Sequence, residues 1–228
     1  MHLYVHVPFC QRRCSYCDFS IAVRRRIPVQ AYFEAVVAEW HRVVSPAATP
    51  RGNPDLDTIY LGGGTPSLLP ADAIQRLLSE LALPRRTPHA TREVTLEANP
   101  EDVTERNARA WIRAGVNRVS LGAQSFDDRV LRWMHRSHDA ARIGAAVRAL
   151  RAAGIDNISL DLIFGLPEEL HRDWGRDLDA AVSLLPPHLS LYGLTVEPRT
   201  PLERWISRGA TQAPDEGRYA DEYLAAHE

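Results

Sequence analysis

The chain has 228 residues, 45% of them hydrophobic, which is enough to bury one sizeable core. Its 29 acidic and 27 basic residues nearly cancel, so no positive surplus indicates nucleic acid or an anionic membrane as an obligatory partner. The three cysteines all lie between positions 10 and 17, and we expect no signal peptide before them, which excludes a secreted disulfide framework. We therefore expect a cytoplasmic protein, and its apolar runs are too short to span a membrane.

Six short apolar runs rich in branched residues alternate along the chain with longer stretches of helical period. The predicted strands are Leu3–Val7, Thr58–Leu61, Glu93–Glu97, Arg118–Leu121, Ile158–Leu162 and Leu189–Leu194. The predicted helices are Val29–Val44, Ala71–Leu81, Thr104–Ala114, Ala140–Ala153 and Arg172–Leu184. This alternation is typical of repeated βα units that form a parallel sheet.

The number of units indicates an incomplete barrel. A closed eight-unit β/α barrel takes about 250 residues, so the six units predicted here fill the chain without closing a barrel. We therefore predict an α/β fold, a partial (β/α)6 barrel with an open parallel sheet and outer helices. Residues 1–205 are predicted to form this core domain, and residues 206–228 the helical start of a further C-terminal region.

The segments that leave the predicted strands carry most of the chemistry. The connectors from helix to strand, Ser45–Asp57 and Pro84–Arg92, are rich in Pro, Thr and Arg and are expected to be solvated. The strand ends carry instead the three cysteines, Gly62–Pro66, Glu97–Pro100, Gln124 and Asp161. Because the strand ends of a parallel β/α barrel converge on one face, we expect these residues to share one pocket.

Cys10, Cys14 and Cys17 have the spacing C-x3-C-x2-C, which is short enough for one loop to wrap a compact metal centre. Most cubane iron-sulfur clusters take four cysteines, so three thiolates leave one iron open for a chelating ligand, such as the amino and carboxylate groups of S-adenosylmethionine (SAM). Two alternatives are buried structural cysteines and a Cys3His zinc site that uses His6 or His2. The glycine run downstream favours the [4Fe-4S] cluster.

Gly62–Gly64 end a predicted strand before a helix, where glycines let the backbone approach a ligand and present N–H groups to a carboxylate. Glu97, at the tip of the third predicted strand, could accept hydrogen bonds from a ligand ammonium group. Alone, these features also fit an ordinary tight turn and an ion pair with a neighbouring arginine. Together with the cysteines they favour a SAM pocket.

Four longer segments sharpen this interpretation: residues 4–10 (YVHVPFC), 115–126 (GVNRVSLGAQSF), 161–167 (DLIFGLP) and 191–195 (LYGLT). With the cysteine loop, the glycine run and Glu97, they resemble the radical SAM superfamily. Within it they look like the oxygen-independent coproporphyrinogen III oxidases and their relatives, the heme chaperones. The resemblance runs from Tyr4 to Pro201 and implies a radical SAM barrel.

The resemblance also implies which residues bind the cofactors. The [4Fe-4S] cluster would be held by Cys10, Cys14 and Cys17, and the SAM on it would contact Gly63, Gly64, Thr65 and Glu97, with Tyr4 alongside. In the oxidases, a second SAM site involves positions that match Tyr16, Gln124, Arg136 and Asp161. Whether a second SAM binds in this chain stays open.

Departures from the family pattern separate its two branches. Phe19 stands where the oxidases carry a further cysteine, and the chain begins almost at its first strand, without the N-terminal extension of the oxidases. Both departures favour the heme chaperone branch. The chain ends at Glu228, so we expect the C-terminal domain of the chaperones to be missing. Arg199 replaces the glycine usual after Glu197-Pro198, and a local adjustment is expected if that position needs a positive φ.

These implications define three functional hypotheses. The first is a heme chaperone that binds heme and passes it to acceptor proteins. The second is an oxidase that decarboxylates coproporphyrinogen propionates to vinyl groups, with an electron donor such as flavodoxin or ferredoxin. The third is a radical SAM enzyme that modifies tRNA, which should show an RNA-binding domain and a basic stripe; neither is visible in the sequence.

Two groups of side chains are candidates for heme contacts. His135 and His138 stand three positions apart, and Arg24–Arg26 could meet porphyrin propionates. Surface or core histidines and a solvated basic surface are the better interpretations of these groups.

Overall fold

The structure, a computed structural model, describes residues 1–44, 56–81 and 92–227. Its strands are β1 (His2–Val7), β2 (Phe9–Cys10), β3 (Ala22–Val23), β4 (Thr58–Gly63), β5 (Glu93–Ala98), β6 (Arg118–Gln124), β7 (Ile158–Phe164) and β8 (His188–Gly193). Its helices are α1 (Val29–Val43), α2 (Ala71–Leu81), α3 (Glu105–Ala114), α4 (Asp128–Trp133), α5 (Ala140–Ala153), α6 (Trp174–Ser183), α7 (Pro201–Ser207) and α8 (Glu216–Ala225). Most of the connectors predicted at 45–57 and 84–92 lies outside the described residues.

Six of these strands form one parallel sheet in the order β1-β4-β5-β6-β7-β8. They follow one another across the sheet in chain order, with at least one helix between consecutive strands. The edge strands β1 and β8 do not pair with each other, so the barrel is open. The predicted α/β fold with a partial (β/α)6 barrel is therefore confirmed.

The sheet has a helix-facing side and a cavity-facing side, because side chains alternate along each strand. On successive strands, the fully buried core residues are Leu61, Leu96, Leu121 and Leu160, which belong to one cluster with Ile74, Trp111 and Leu150 of the helices. Their neighbours in sequence are Tyr60, Glu97, Ser120 and Asp161, whose side chains meet on the other side of the sheet. The hydrophobic core thus lies under the helices and leaves the inner side of the barrel polar.

Capping groups set the ends of the helices that flank the sheet. Asp173 accepts a hydrogen bond from the backbone of the first turn of α6, so this helix begins at Trp174 rather than at the predicted Arg172. Gly115 and Gly154 both have a φ of 106° and end α3 and α5 in the left-handed conformation that glycine tolerates.

Some elements were not predicted from the sequence pattern. They are the short β2–β3 ribbon and the helices α4 and α7, whereas α8 lies within residues 206–228, for which a helical start was predicted. The predicted boundary between residues 205 and 206 lies inside α7, and the division into two domains stays a prediction. Arg199 has a φ of 67°, so this position does lie in the region that favours glycine. Within the described ranges, no helix is both long and apolar enough to cross a membrane.

Helix α8 is held against the barrel by a buried ionic network. Its Glu222 accepts hydrogen bonds from the Arg172 guanidinium and from the Gly165 amide, each at 2.6 Å. Arg172 also lies 3.4 Å from Asp177, and the Trp174 indole donates to the carbonyl oxygen of Glu222 at 2.9 Å. The three charged side chains are buried, so each depends on its partners to offset the cost of leaving water.

Replacing Glu222 with Gln is expected to lower the free energy of unfolding by about 3 kcal/mol, because the Arg172 charge then stays buried without its main carboxylate partner. Urea denaturation at pH 7 measures the change. The matched control is Asp221→Asn, which removes an exposed carboxylate from the same helix and should change stability by less than about 0.5 kcal/mol. Equal losses in both variants would contradict the role assigned to Glu222.

Candidate functional site

A cavity of about 500 Å³ opens at the carboxyl ends of the sheet strands. The predicted site residues that line it are Cys10, Cys14, Tyr16, Cys17, Gly63, Gly64, Thr65, Glu97, Gln124, Arg136 and Asp161. Tyr4 is not among the lining residues; its ring stacks on that of Tyr60 at a centroid distance of 5.8 Å and is largely exposed. The fold therefore brings together all the predicted site residues except Tyr4.

Backbone hydrogen bonds hold the cysteine loop in place. Cys10 lies in β2, and its carbonyl oxygen accepts a hydrogen bond from the Arg24 amide, next to β3, at 3.0 Å. In the middle of the loop, the Ser15 amide donates to the Met134 carbonyl at 3.2 Å, and the Ser15 carbonyl accepts from the Leu202 amide at 2.8 Å. The segment after α4 and helix α7 therefore both fix the loop, and all three thiols border the same cavity.

Two glycines bring the end of β4 against this loop. A Cβ atom at Gly64 would lie 3.0 Å from the Cys10 sulfur and even closer to the neighbouring backbone, so a larger residue does not fit there. Gly63 has a φ of 116°, and a Cβ atom there would lie 2.5 Å from the His6 ring. The hydroxyl of the next residue, Thr65, lies 3.5 Å from the Cys10 sulfur. The close approach of β4 to the cysteines thus requires glycine.

Glu97 lies near the end of β5 with both carboxylate oxygens hydrogen bonded. Oε1 accepts a hydrogen bond from the Tyr60 hydroxyl and Oε2 from the Gly63 amide, each at 2.9 Å. Burial raises the pKa of Glu97 above its ordinary value, although these two hydrogen bonds act in the opposite direction. A cationic group in the cavity would stabilise the ionised form.

Arg136 lies beside the cysteine loop. Its Nη2 donates to Asn99 Oδ1 at 2.6 Å and to the Gly122 carbonyl at 3.0 Å, and its Nη1 lies 3.4 Å from the Cys14 sulfur. Its Nε is buried and has no hydrogen-bond partner among the described residues. Burial also raises the pKa of Tyr16 far above its ordinary value, so this phenol stays neutral. Arg136 thus joins the segment after α4 to Asn99 and Gly122 beside the cysteine loop, while its Nε is left without a partner within the ranges that the structure describes.

Asp161 is surrounded by serine hydroxyls from β6, β7 and β8. Ser120 donates to it at 2.9 Å and Ser159 at 3.3 Å, and Ser190 also contacts it. Burial nevertheless raises the pKa of Asp161 to about 6, and repulsion from Glu97 adds to this shift. The cavity lining therefore includes carboxyl groups that burial makes harder to ionise, Glu97 and Asp161 among them.

The donor atoms at the loop fit an iron-sulfur cluster. Three cysteine thiols are soft donors that suit iron-sulfur clusters, and they border one cavity. Burial raises the pKa of Cys17 to about 11, so metal binding has to displace a thiol proton. His6, the fourth ligand of the zinc alternative, is engaged elsewhere: its Nε2 lies 2.8 Å from the Ser20 carbonyl oxygen. In the described part of the chain, no three His, Cys, Asp or Glu side chains form a group that could hold a single metal ion.

Several supporting residues were not found from the sequence, namely Tyr60, Ser120, Ser159 and Ser190. The sequence does contain a pattern that points to these residues. Polar residues recur at every second position of the predicted strands, which indicates that the inner side of the barrel is polar. Asn99 lies in the strand-end segment Glu97–Pro100 that was expected at the pocket, and the structure adds its contact with Arg136.

The two histidines considered as heme ligands lie in the loop between α4 and α5, not on one helix. His138 is buried and contacts Glu101 Oε2 and the Ala123 carbonyl oxygen, each at 3.2 Å. His135 is exposed, with its ring 5.2 Å from that of Trp205. His138 is therefore a core histidine whose two ring nitrogens already have protein partners, and not a free heme ligand.

Comparison with known proteins identifies the family. The profile described as the Radical SAM superfamily matches residues 4–181. The chain belongs to the radical SAM superfamily. Membership implies a [4Fe-4S] cluster and SAM, the two cofactors that the cysteine loop and the glycine run predicted.

Its curated relatives include heme chaperones. The chain is 34% identical over 220 residues to "Heme chaperone HemW" of Bacillus subtilis (strain 168), covering 96% of this chain and 57% of the relative. It is 38% identical over 201 residues to "Heme chaperone HemW" of Escherichia coli (strain K12), covering 88% of this chain and 52% of the relative.

A solved structure of the other branch is also similar. Coproporphyrinogen III oxidase (HemN) from Escherichia coli, a radical SAM enzyme, matches with a TM-score of 0.79 and 27% identity, over 98% of this chain and 50% of that chain. The predicted resemblance to both branches of this radical SAM group is confirmed. The chain spans about half the length of the relatives it matches.

The raised pKa of Asp161 predicts how stability changes with pH. Between about pH 4 and pH 6 the unfolded carboxyl is mostly ionised while the folded one is mostly protonated, so the free energy of unfolding falls as the pH rises. The difference between the ordinary pKa of 3.8 and about 6 corresponds to about 3 kcal/mol. The Asp161→Asn variant lacks this titration, so its stability relative to the unmodified chain should rise by about 2 kcal/mol from pH 4 to pH 7, most of the full difference.

Urea denaturation at several pH values across this range measures the effect. The exposed Asp156→Asn variant is the control for the loss of a surface carboxylate. A stability difference for Asp161→Asn that stays constant with pH would show that burial does not raise the pKa of Asp161.

Proposed function

We propose that this chain is the radical SAM core of a heme chaperone, which binds a [4Fe-4S] cluster, SAM and heme and delivers heme to acceptor proteins. The observation that carries the proposal is that Cys10, Cys14 and Cys17 border the same cavity as Glu97 and the strand end Gly63–Thr65. The similarity to heme chaperones named HemW supports heme as the cargo. Since the chain spans about half of those relatives, heme delivery by the whole protein is part of the proposal.

In this proposal Cys10, Cys14 and Cys17 would hold the [4Fe-4S] cluster, and with only three cysteine ligands the cluster would keep a place for SAM. One electron delivered through the bound cluster to the SAM sulfonium would break its C–S bond. Soft sulfur donors on a single loop and an open side toward the cavity are the features of this chain that suit such a centre.

The chain's own side chains then bind and orient the ligand. Glu97 accepts hydrogen bonds from the ligand ammonium group, which relieves the cost of burying its carboxylate. The backbone at Gly63 and Gly64 lets the ligand lie close to β4, and Tyr4 supports this region through its contact with Tyr60. Thr65 positions the Cys10 sulfur through its hydroxyl.

A second group of residues binds further polar atoms of a ligand. Arg136 places a guanidinium charge at the cavity lining, and Tyr16 contributes a neutral ring beside the thiols. Gln124 ends β6 with a φ of 69°, next to a register shift in the pairing of β6 with β7. Together with Asp161, these residues line the cavity.

A second candidate function is oxygen-independent coproporphyrinogen III oxidase. Tyr16, Gln124, Arg136 and Asp161, the positions that match a second SAM site in the oxidases, all line the cavity, which favours this reading. The similarity to HemN supports it as well. Phe19 in place of the additional cysteine supports the chaperone instead.

Changing Glu97 to Gln is expected to weaken SAM binding about ten- to a hundredfold, because a charge-assisted hydrogen bond to the ammonium group contributes about 1.5 to 3 kcal/mol. Isothermal titration calorimetry on the anaerobically reconstituted protein measures the dissociation constant. The control variant is Glu93→Gln, which removes a carboxylate from the same strand outside the cavity lining. Unchanged affinity in the Glu97 variant would exclude it as the ammonium ligand.

Anaerobic reconstitution with iron and sulfide tests the cofactors themselves. The reduced protein is expected to show the electron paramagnetic resonance signal of a [4Fe-4S] cluster, and SAM should alter this signal by binding the open iron. The Cys14→Ala variant should lose the signal, whereas the exposed Ser20→Ala variant should keep it. A zinc-containing product, or a cluster whose signal does not respond to SAM, would overturn the proposal.

Heme and coproporphyrinogen III separate the two candidate functions. A shift of the Soret band on adding heme, followed by transfer of heme to an apo-acceptor protein, supports the chaperone. A vinyl product from coproporphyrinogen III, formed with SAM and a reductant, supports the oxidase. If neither occurs with the reconstituted protein, both porphyrin functions are refuted for this chain.

A further inference from the structure

The region around the cysteine loop carries a local positive charge. Residues 1–33 contain five arginines, Arg12, Arg13 and Arg24–Arg26, and one acidic residue, Asp18, which gives a net charge of +4. The whole chain has a net charge of −2, so residues 34–228 carry −6. The positive charge is therefore concentrated in the segment that also contains all three cysteines.

Backbone pairing places this charge beside the thiols. Cys10 in β2 lies opposite Val23 in β3, and the Arg24 amide donates to the Cys10 carbonyl oxygen at 3.0 Å. Within the loop, the Arg13 guanidinium donates to the Cys17 carbonyl oxygen at 3.1 Å. Arginines thus border the cysteine loop at the β3 side and within its own turn.

These arginines have no carboxylate partner among the residues that the structure describes. None of the five forms a salt bridge within the described ranges, and Arg24–Arg26 are exposed. Near them in the chain, Val23 is 45% exposed, and Phe19, which also borders the rim of the cavity, is 57% exposed. We call this set of residues, Arg12, Arg13, Phe19, Val23 and Arg24–Arg26, the arginine face. Exposed apolar groups within a charged surface are typical of a protein-docking site.

We infer that the arginine face docks an acidic electron-donor protein, which passes one electron to the cluster held by the neighbouring cysteines. The inference rests on the proposed function, because it requires the cluster. In this step the one-electron carrier of the donor is oxidised and the cluster is reduced by one electron, with no bond formed and no proton moved.

Position and charge favour such a donor over other anions. A redox partner must bring its carrier close to the cluster, and the arginine face adjoins the loop of all three cysteines. Electron-transfer complexes are small and transient, and opposite charges speed their encounter. A long polyanion such as RNA would extend onto the remainder of the chain, whose net charge is −6.

Stopped-flow reduction of the reconstituted protein by reduced flavodoxin, used as an acidic one-electron donor, tests the inference. For the unmodified chain, the second-order rate constant should fall as salt is added, because ions screen the attraction. In the double variant Arg24→Glu and Arg25→Glu, the rate constant at low salt should fall at least about tenfold, and it should no longer decrease with added salt.

The matched control is the double variant Arg106→Glu and Arg113→Glu, which changes the net charge equally on the exposed side of α3. This variant should react at nearly the rate of the unmodified chain. Iron content and the signal after reduction by excess dithionite show that each variant carries an intact cluster, since the substituted arginines are exposed and do not touch the thiols.

The outcomes separate this inference from the proposed function. Absence of a cluster in the unmodified chain refutes the proposed function before any donor is added. If the cluster assembles but both double variants react alike, the arginine face has no specific role and the inference is overturned. The same holds if the Arg24 and Arg25 variant keeps its reduction rate but loses affinity for heme or RNA, since the face then serves another anion.

Discussion

The alternation of side chains along six parallel strands is the constraint on which the rest of this structure depends. Leu96 and Leu160 are fully buried in the core, while their neighbours Glu97 and Asp161 line the cavity on the opposite side. A shift of one residue in either strand would exchange these positions and place a carboxyl group in the hydrophobic core. The same packing that stabilises the barrel therefore also orients its polar groups.

The cavity concentrates polar groups at a cost that hydroxyl and amide donors only partly offset. Glu97 has hydrogen bonds from Tyr60 and Gly63, and Asp161 has them from serines, yet burial still raises the pKa of both carboxyl groups. Such groups gain most when a positively charged ligand enters, because the ligand replaces the lost hydration. This electrostatic state is consistent with a site for the cationic cofactor SAM, which membership of the radical SAM superfamily implies.

The cysteine loop is shaped by contacts that are distant in sequence. Ser15 bonds to Met134 and to Leu202, so the loop rests on the segment after α4 and on α7. Helix α8 in turn bonds through Glu222 to Gly165, which directly follows β7. The elements that follow the barrel in the chain thus contact both the loop and the mouth of the sheet, and their placement contributes to the geometry of the site.

The sequence by itself determined the number and order of the sheet strands, because hydrophobic alternation and helical period are local patterns that repeat six times. It also indicated the cluster loop and the glycine run, since the spacing of Cys10, Cys14 and Cys17 and the run Gly62–Gly64 each lie within one short segment. Only the tertiary structure decided that the Tyr60 hydroxyl donates a hydrogen bond to Glu97 and that serines from three strands surround Asp161. It also decided that Tyr4 lies outside the cavity lining. Those relations depend on strand register and on contacts between residues tens of positions apart, and no local pattern of residues encodes which of them will meet.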